Sequence, residues 1–358
     1  MAGRDFFSPD YLESRRRFLE LAEGLGAEME SHPLRSNGPD GAPLTIDVAW
    51  FGSRKAERIV VVTSATHGVE GFMGAAVQQH LLSDLPELDE GVAFVLVHAI
   101  NPYGYAFVRR VNEDNVDLNR NFLREGESYT GAPEGYAELD GMLNPRKPPS
   151  RWTPKTFPLR AIPQIARHGL GTVKSIVAGG QYAFPKGVFF GGAAKSNTME
   201  ILEAQIPRWF GHARHVLVVD FHTGLGTPGT YKLLIDHAPD TQRTAWLAEQ
   251  FGDVVQPWDA GEGVAYQIRG GFGTWVKSLL PEVEIDVLCA EFGSVHVLKV
   301  ITALTAENRA HQWGRPDDPT TKMAKSLLME AFAPSDPSWR DTVVERGRRI
   351  VEQALAAV

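Results

Sequence analysis

The stretch Arg58-Ile-Val-Val-Val-Thr-Ser-Ala-Thr-His67-Gly-Val-Glu70 governs how the rest of the chain is read. Its first half is a continuous β-branched run, and a strand that is apolar on both faces belongs in the interior of a sheet covered on both sides. Residues 71–82 then carry a helical pattern, so His67 and Glu70 fall on a strand-to-helix turn at the sheet edge. A His and a Glu three residues apart on one turn can reach a single cation, the imidazole through one nitrogen and the carboxylate through one or two oxygens. Taken alone, such a pair is more often a helix-cap carboxylate beside a surface histidine. It needs a third ligand and a group that does chemistry.

Outward from this stretch, strand-like runs at 44–50, 92–98, 215–220, 232–235 and 284–291 alternate with helical patterns at 11–25, 198–210, 241–251, 295–311, 320–331 and 339–357. Such alternation predicts an α/β fold with a mixed, mostly parallel central sheet and helices on both faces. Residues 124–197 interrupt it with Gly- and Pro-rich sequence around short helices expected near Tyr136 and Ile162. A structureless loop of that length is uncommon in a compact fold. The segment therefore reads as an insertion packed on one domain spanning 1–358, and as a candidate wall of the active site.

Composition bounds the function classes. Over 358 residues, 43% hydrophobic and 22% charged content describes a globular chain with a large core. A net charge of -8 argues against non-specific nucleic-acid binding, which depends on Lys and Arg neutralising phosphates. The single cysteine, Cys289, excludes an intrachain disulfide and any CxxC motif, so a bound metal must use His and carboxylate. The N-terminus lacks the apolar core of a signal peptide, and no apolar run is long enough for a bilayer span. A cytoplasmic protein without membrane partners is expected; homo-oligomerisation is left open.

Three further constellations carry chemistry. Asn101-Pro-Tyr-Gly104 and Arg109-Arg-Val-Asn-Glu-Asp-Asn-Val-Asp117-Leu-Asn-Arg-Asn-Phe122 follow the strand at 92–98, which puts them at the same sheet end as His67. Their arginines suit an anion, since guanidinium binds carboxylate through two parallel hydrogen bonds; a solvated loop of Arg–Asp pairs would look the same. Val218-Val-Asp-Phe-His222 ends a strand on a histidine before the Gly-rich turn Thr-Gly-Leu-Gly226. Val287-Leu-Cys-Ala-Glu291 closes an apolar strand on a carboxylate that is costly to bury without a partner, so it should lie near a cation or act as a base.

Together, in content, order and spacing, these segments resemble the zinc carboxypeptidases, in a divergent, bacterial-type branch. The resemblance spans about residues 58–293. It implies one Zn2+ per chain held by His67, Glu70 and His222. It implies that Asn119 and Arg120, in Asp117-Leu-Asn-Arg-Asn121, hold the substrate's free carboxylate, that Arg110 polarises the scissile carbonyl, and that Asp117 supports His67 from behind. Arg109 adjoins Arg110 and could take its place if the register slips by one. Glu291 matches the family's general base. Tyr266-Gln-Ile-Arg-Gly-Gly-Phe-Gly-Thr-Trp275 resembles the loop bearing the substrate-capping tyrosine, which makes Tyr266 the candidate cap.

The implied reaction is hydrolysis of an amide next to a free carboxylate, on peptides or small peptide-like substrates. Two departures keep alternatives in view. Arg269 and Gly273, in the loop after the capping tyrosine, match no specificity pattern of the family. The 124–197 segment could close the cleft over small substrates, as suits a deacylase of N-acyl amino acids, though related deacylases end in a β-rich domain while 294–358 here reads as helical. A silent binding protein on the same fold would lack a ligand or the base, and neither is missing.

Overall fold

The computed structural model describes residues 2–239, 241–258 and 268–358. Eight strands form one sheet: β1 (Glu28–Asn37), β2 (Pro43–Phe51), β3 (Arg58–Thr63), β4 (Val92–His98), β5 (His215–Thr223), β6 (Tyr231–Ile235), β7 (Val255–Pro257) and β8 (Glu284–Phe292). They lie in the order β1-β2-β4-β3-β5-β8-β6-β7. The central strands β4, β3, β5 and β8 run parallel, while β2 and β6 pair antiparallel to their neighbours β4 and β8. The sheet is therefore mixed around a parallel centre, as the alternation predicted.

β3 is buried on both sides. Ile59 and Val61 belong to one core and Val60 and Val62 to the other, which is why the run is continuous rather than alternating. Helices Tyr11–Gly24, Gly71–Ser83 and Pro337–Ala357 supply Phe18, Val77, Val343 and Ile350 to the second core. Helices Asn197–Phe210, Phe272–Leu279, Val297–Trp313 and Pro319–Phe332 supply Met199, Trp275, Leu304 and Phe332 to the first.

The chain leaves β3 for β4 on one side and returns at β5 on the other, so the C-terminal end of β3 is a topological switch point, where open α/β sheets leave a crevice for ligands. Register sets what meets there: Thr63 pairs with Asp220, and His222 with Glu291, on parallel neighbours. Residues directly paired on adjacent strands stand about 5 Å apart, so His222 and Glu291 are brought together by the sheet itself.

Segment 124–197 is more helical than its composition suggests. It holds Tyr136–Leu143, Thr153–His168 and Leu170–Ala178, the second with Pro154 in its first turn and Pro158 and Pro163 further in. Phe157 and Ala161 of the long helix, with Leu143 and Val177, join the first core. Arg309 fastens this cover to helix Val297–Trp313, donating from Nε to Lys147 O (3.1 Å), from Nη2 to Pro148 O (2.7 Å) and from Nη1 to Thr153 Oγ1 (3.2 Å). No helix among the described residues is long and apolar enough to cross a membrane.

Candidate metal centre and its cavities

His67 and Glu70 stand where the sequence placed them, on a single 3-10 turn (Gly68–Glu70) between β3 and the helix Gly71–Ser83. The turn is clamped to the next loop by Gly68 N–H to Arg110 O (3.1 Å) and Val69 N–H to Arg109 O (2.8 Å). A Cβ on Gly68 would stand 2.0 Å from the Gly104 carbonyl carbon, so only glycine permits this approach. The clamp carries Arg110 to the HxxE pair.

Three donor groups converge. His67 Nδ1 lies 3.0 Å from Glu70 Oε1, His222 Nδ1 lies 3.1 Å from Glu70 Oε2, and the two Nδ1 atoms are 3.2 Å apart. All three side chains are buried. Ligands each about 2.0–2.2 Å from one tetrahedral zinc would stand roughly 3.3 Å from one another, so the donor set fits such an ion.

Behind each imidazole stands a carboxylate. His67 Nε2 is 3.1 Å from Asp117 Oδ1, and His222 Nε2 is 2.6 Å from Asp220 Oδ2. Donation from each Nε2–H fixes the tautomer that leaves Nδ1 free for a metal. Arg110 Nη2 also approaches His67 Nε2, at 2.8 Å. A guanidinium only donates, so this contact and the Asp117 contact make opposite demands on that nitrogen; the Asp117 bond is the one compatible with a free Nδ1. Asp117 Oδ2 accepts from Arg110 Nε (3.1 Å), and Asp220 accepts from the Thr63 and Thr66 hydroxyls (2.7 and 2.9 Å).

Electrostatics divide the carboxyls. Burial would raise Glu70, but the adjacent His67 and His222 hold it well below the usual carboxylate range. Burial acts likewise on Asp117, where Arg110 and His67 prevail, and on Asp220, where His222 does. For His222, burial is outweighed by Asp220, which raises its proton affinity well above the ordinary imidazole value. Glu291 goes the other way: burial and the charge of Glu70 push it up to about 7 against the pull of His222. Its Oε1 accepts from Leu225 N–H at 2.8 Å. A buried carboxyl poised near neutrality beside a metal-ligand set is a group equipped to exchange protons.

Of the two neighbouring arginines, Arg110 faces this cluster. Arg109 is wholly buried elsewhere, with Nε on Glu307 Oε1 (2.9 Å) and Nη2 on Asn115 Oδ1 (2.9 Å). Asn119 accepts from Phe272 N–H at 3.0 Å and borders the cavities on either side of the cluster. Arg120 lies one step behind, its guanidinium donating to Asn119 O (2.6 Å) and Ala178 O (3.0 Å from Nε). Arg269 points to the cover, over the Tyr182 ring at 4.7 Å. Tyr266 lies outside the described residues.

The sequence reading missed Asp220. Its signal was present: Asp220 and His222 are two apart on a strand, and a period of two places them on one face.

Two cavities meet at the cluster. One is lined by Asn119, Asp220, His222, Asp236, Ile268 and Thr274, among others, and Asp236 in its wall pairs with Lys277 at 2.6 Å. The other holds about 1020 Å³ of space between atoms, its open mouth included, and extends from His67, Arg110, His222 and Glu291 between the 124–197 cover and helix Val297–Trp313.

The chain belongs to a family described as "Protein of unknown function (DUF2817)", whose model matches residues 7–346. No curated protein matches it. Among solved structures it is similar to carboxypeptidase A from Helicoverpa armigera, at 13% identity and a TM-score of 0.45, covering 90% of this chain and 74% of that one. It is similar to murein-tripeptide amidase MpaA from Escherichia coli O157 (19%, TM-score 0.36, 81% and 93% covered) and to an aspartoacylase family protein from Mesorhizobium loti (14%, TM-score 0.38, 80% and 67% covered).

Proposed function

We propose that this protein is a zinc-dependent hydrolase that cleaves an amide bond next to a free carboxylate, acting as a metallocarboxypeptidase on peptides or small peptide-like molecules. One observation carries the reading: two imidazole Nδ1 atoms and the Glu70 carboxylate lie 3.0–3.2 Å from one another, beside a Glu291 whose carboxyl is pushed up to about 7. A Zn2+ held by His67, Glu70 and His222 would supply Lewis acidity toward a carbonyl oxygen and a water.

The chain's own residues do the rest. Glu291 takes a proton from the attacking water and returns it to the leaving nitrogen. Arg110, steadied by Asp117 through Nε and by Glu70 Oε1 through Nη1 (3.0 Å), sets its guanidinium charge beside the carbonyl oxygen as charge develops there. Asn119 meets the substrate carboxylate from the wall shared by both cavities, and Arg120 adds positive charge from behind that wall. Tyr266 keeps the capping role that the motif resemblance gives it.

A second reading, deacylation of N-acyl amino acids, is favoured by the apolar character of the cavity beneath the 124–197 cover. Metal analysis of purified protein, run beside hydrolysis of C-terminally free peptides and N-acyl amino acids with Glu291→Gln as control, separates the two. Release of C-terminal residues that requires about one zinc per chain and vanishes in Glu291→Gln is expected. Cleavage of N-acyl amino acids alone would establish the second reading, and an inactive protein that takes up no metal would overturn both.

A further inference from the structure

The cavity beneath the 124–197 cover divides sharply by chemistry. Its polar liners are His67, Arg110, His222 and Glu291, with their neighbours Asn119, Thr223 and Cys289. Thr223 spends its hydroxyl on Phe332 O at 2.7 Å, and burial pushes the Cys289 thiol up to about 11. Beyond them the wall is aliphatic and aromatic: Phe157, Ala161 and Val177 from the cover face Val300, Ile301 and Leu304 from helix Val297–Trp313. The Arg309 contacts tie these two elements to each other.

Resting on the second, deacylase reading above, we propose that this chamber receives a long apolar acyl chain, so that the substrate is an N-acyl amino acid with a fatty or comparably apolar acyl group. The argument is by exclusion on charge. A free carboxylate buried among Phe157, Val177 and Ile301 would find no hydrogen-bond partner and would be strongly disfavoured. The carboxylate-bearing half of the substrate therefore lies away from the aliphatic wall, at the polar mouth where Arg110 and Asn119 stand and the second cavity begins, whose Asp236 is already paired with Lys277. With the scissile carbonyl at Arg110 and Glu291, the acyl half is the part that extends into the chamber. Water adds across the amide: the C–N bond breaks, the acyl carbon gains the hydroxyl to become a carboxylic acid, and the nitrogen gains the proton to leave as the free amino acid.

The test is a chain-length series of N-acyl-L-alanines, acetyl through dodecanoyl. Binding is measured by calorimetry on zinc-loaded Glu291→Gln protein, and turnover on zinc-loaded wild type. Burial of each methylene should tighten binding by up to about fourfold, and octanoylalanine should bind at least about 100-fold more tightly than acetylalanine. Ala161→Phe and Val177→Phe, each checked for folding by circular dichroism, should flatten the series while leaving acetylalanine binding unchanged. The wild-type turnover series stands as a test even if both variants misfold. Affinity that does not change with chain length overturns the proposal, whether or not acetylalanine is hydrolysed. Affinity that climbs with length in a protein that hydrolyses no amide would leave the chamber assigned and remove the reaction instead.

Discussion

At the ends of β3, β5 and β8, each polar side chain is held by a named partner, His67 by Asp117 and His222 by Asp220, and the holders are themselves held, Asp117 by Arg110 and Asp220 by Thr63 and Thr66. Across the chamber, the cover helices contribute Phe157, Ala161, Ile165 and Val177, which touch the cavity only by shape. The outside of helix Thr153–His168 mixes Lys155, Arg160 and Arg167 with Leu159 and Ile162, which like the preceding Trp152 are more than half exposed. The polar end depends on angles and protonation and sits on paired strands. The apolar end depends on volume and sits on helices, which tolerate substitution as long as size is kept. Chemistry and selectivity should therefore fail separately.

The largest expected effect tests the polar end. His222→Ala should remove metal binding and reduce hydrolysis to background, read by metal content and activity together, while chamber affinity for dodecanoylalanine falls much less. Glu291→Gln should retain the metal yet lose about 10³-fold in kcat, within the range for a proton-transferring group, as followed by steady-state kinetics.

Next comes Glu307→Gln, which touches neither region. Glu307 lies buried between Arg109 (2.9 Å) and Lys325 (2.6 Å), and these cations outweigh burial to bring its carboxyl down to about 2. Removing its charge leaves two cations unpaired, at a cost of about 3–5 kcal/mol, measurable by urea unfolding at pH 7. Because the folded value is depressed, the ion pair's contribution is full above the ordinary carboxyl value near 4.5 and fades as pH falls toward 2. The gap between wild type and Glu307→Gln should therefore narrow as pH falls from about 4.5 and close only near pH 2. If it is as wide at pH 2 as at pH 7, the ion pair is not the cause.

Asp220→Asn should weaken metal affinity about 10- to 100-fold, the usual cost of losing the group behind a ligating histidine, seen in chelator competition. The smallest effect belongs to the outer face of the cover: Leu159→Ser should change unfolding free energy by less than about 0.5 kcal/mol. A larger loss would mean that this face is covered in solution and would blur the contrast drawn above.

Periodicity made the centre of this fold legible and faded toward its rim. β3, β4, β5 and β8 are buried on both faces and are announced by unbroken apolar runs. β1 is an edge strand, Glu-Met-Glu-Ser-His-Pro-Leu-Arg-Ser-Asn, mostly open to solvent, so its residues carry no apolar signature, and β7 has only three residues. Prolines hid the helix Thr153–His168, since Pro154, Pro158 and Pro163 read as breakers although Pro154 sits in the first turn, where proline is tolerated. Within the site, the histidines and glutamates stood out because polar groups closing apolar strands need a reason. The backbone carbonyls that Arg120 meets had no sequence signal. They depend on where Ala178 lands, a matter of tertiary packing.

The register that pairs Thr63 with Asp220 and His222 with Glu291 also bears on the order of folding. His67 and His222 are 155 residues apart in the chain, one following β3 and the other on β5, parallel neighbours whose pairing closes a very long loop. Closure of that kind is entropically demanding and slow compared with forming the helices. The metal pocket is thus among the last features to exist as the chain folds, and the HxxE turn, though local, cannot offer a complete ligand set to a cation until the sheet's middle has joined. A protein that has acquired its metal has by that fact finished its sheet.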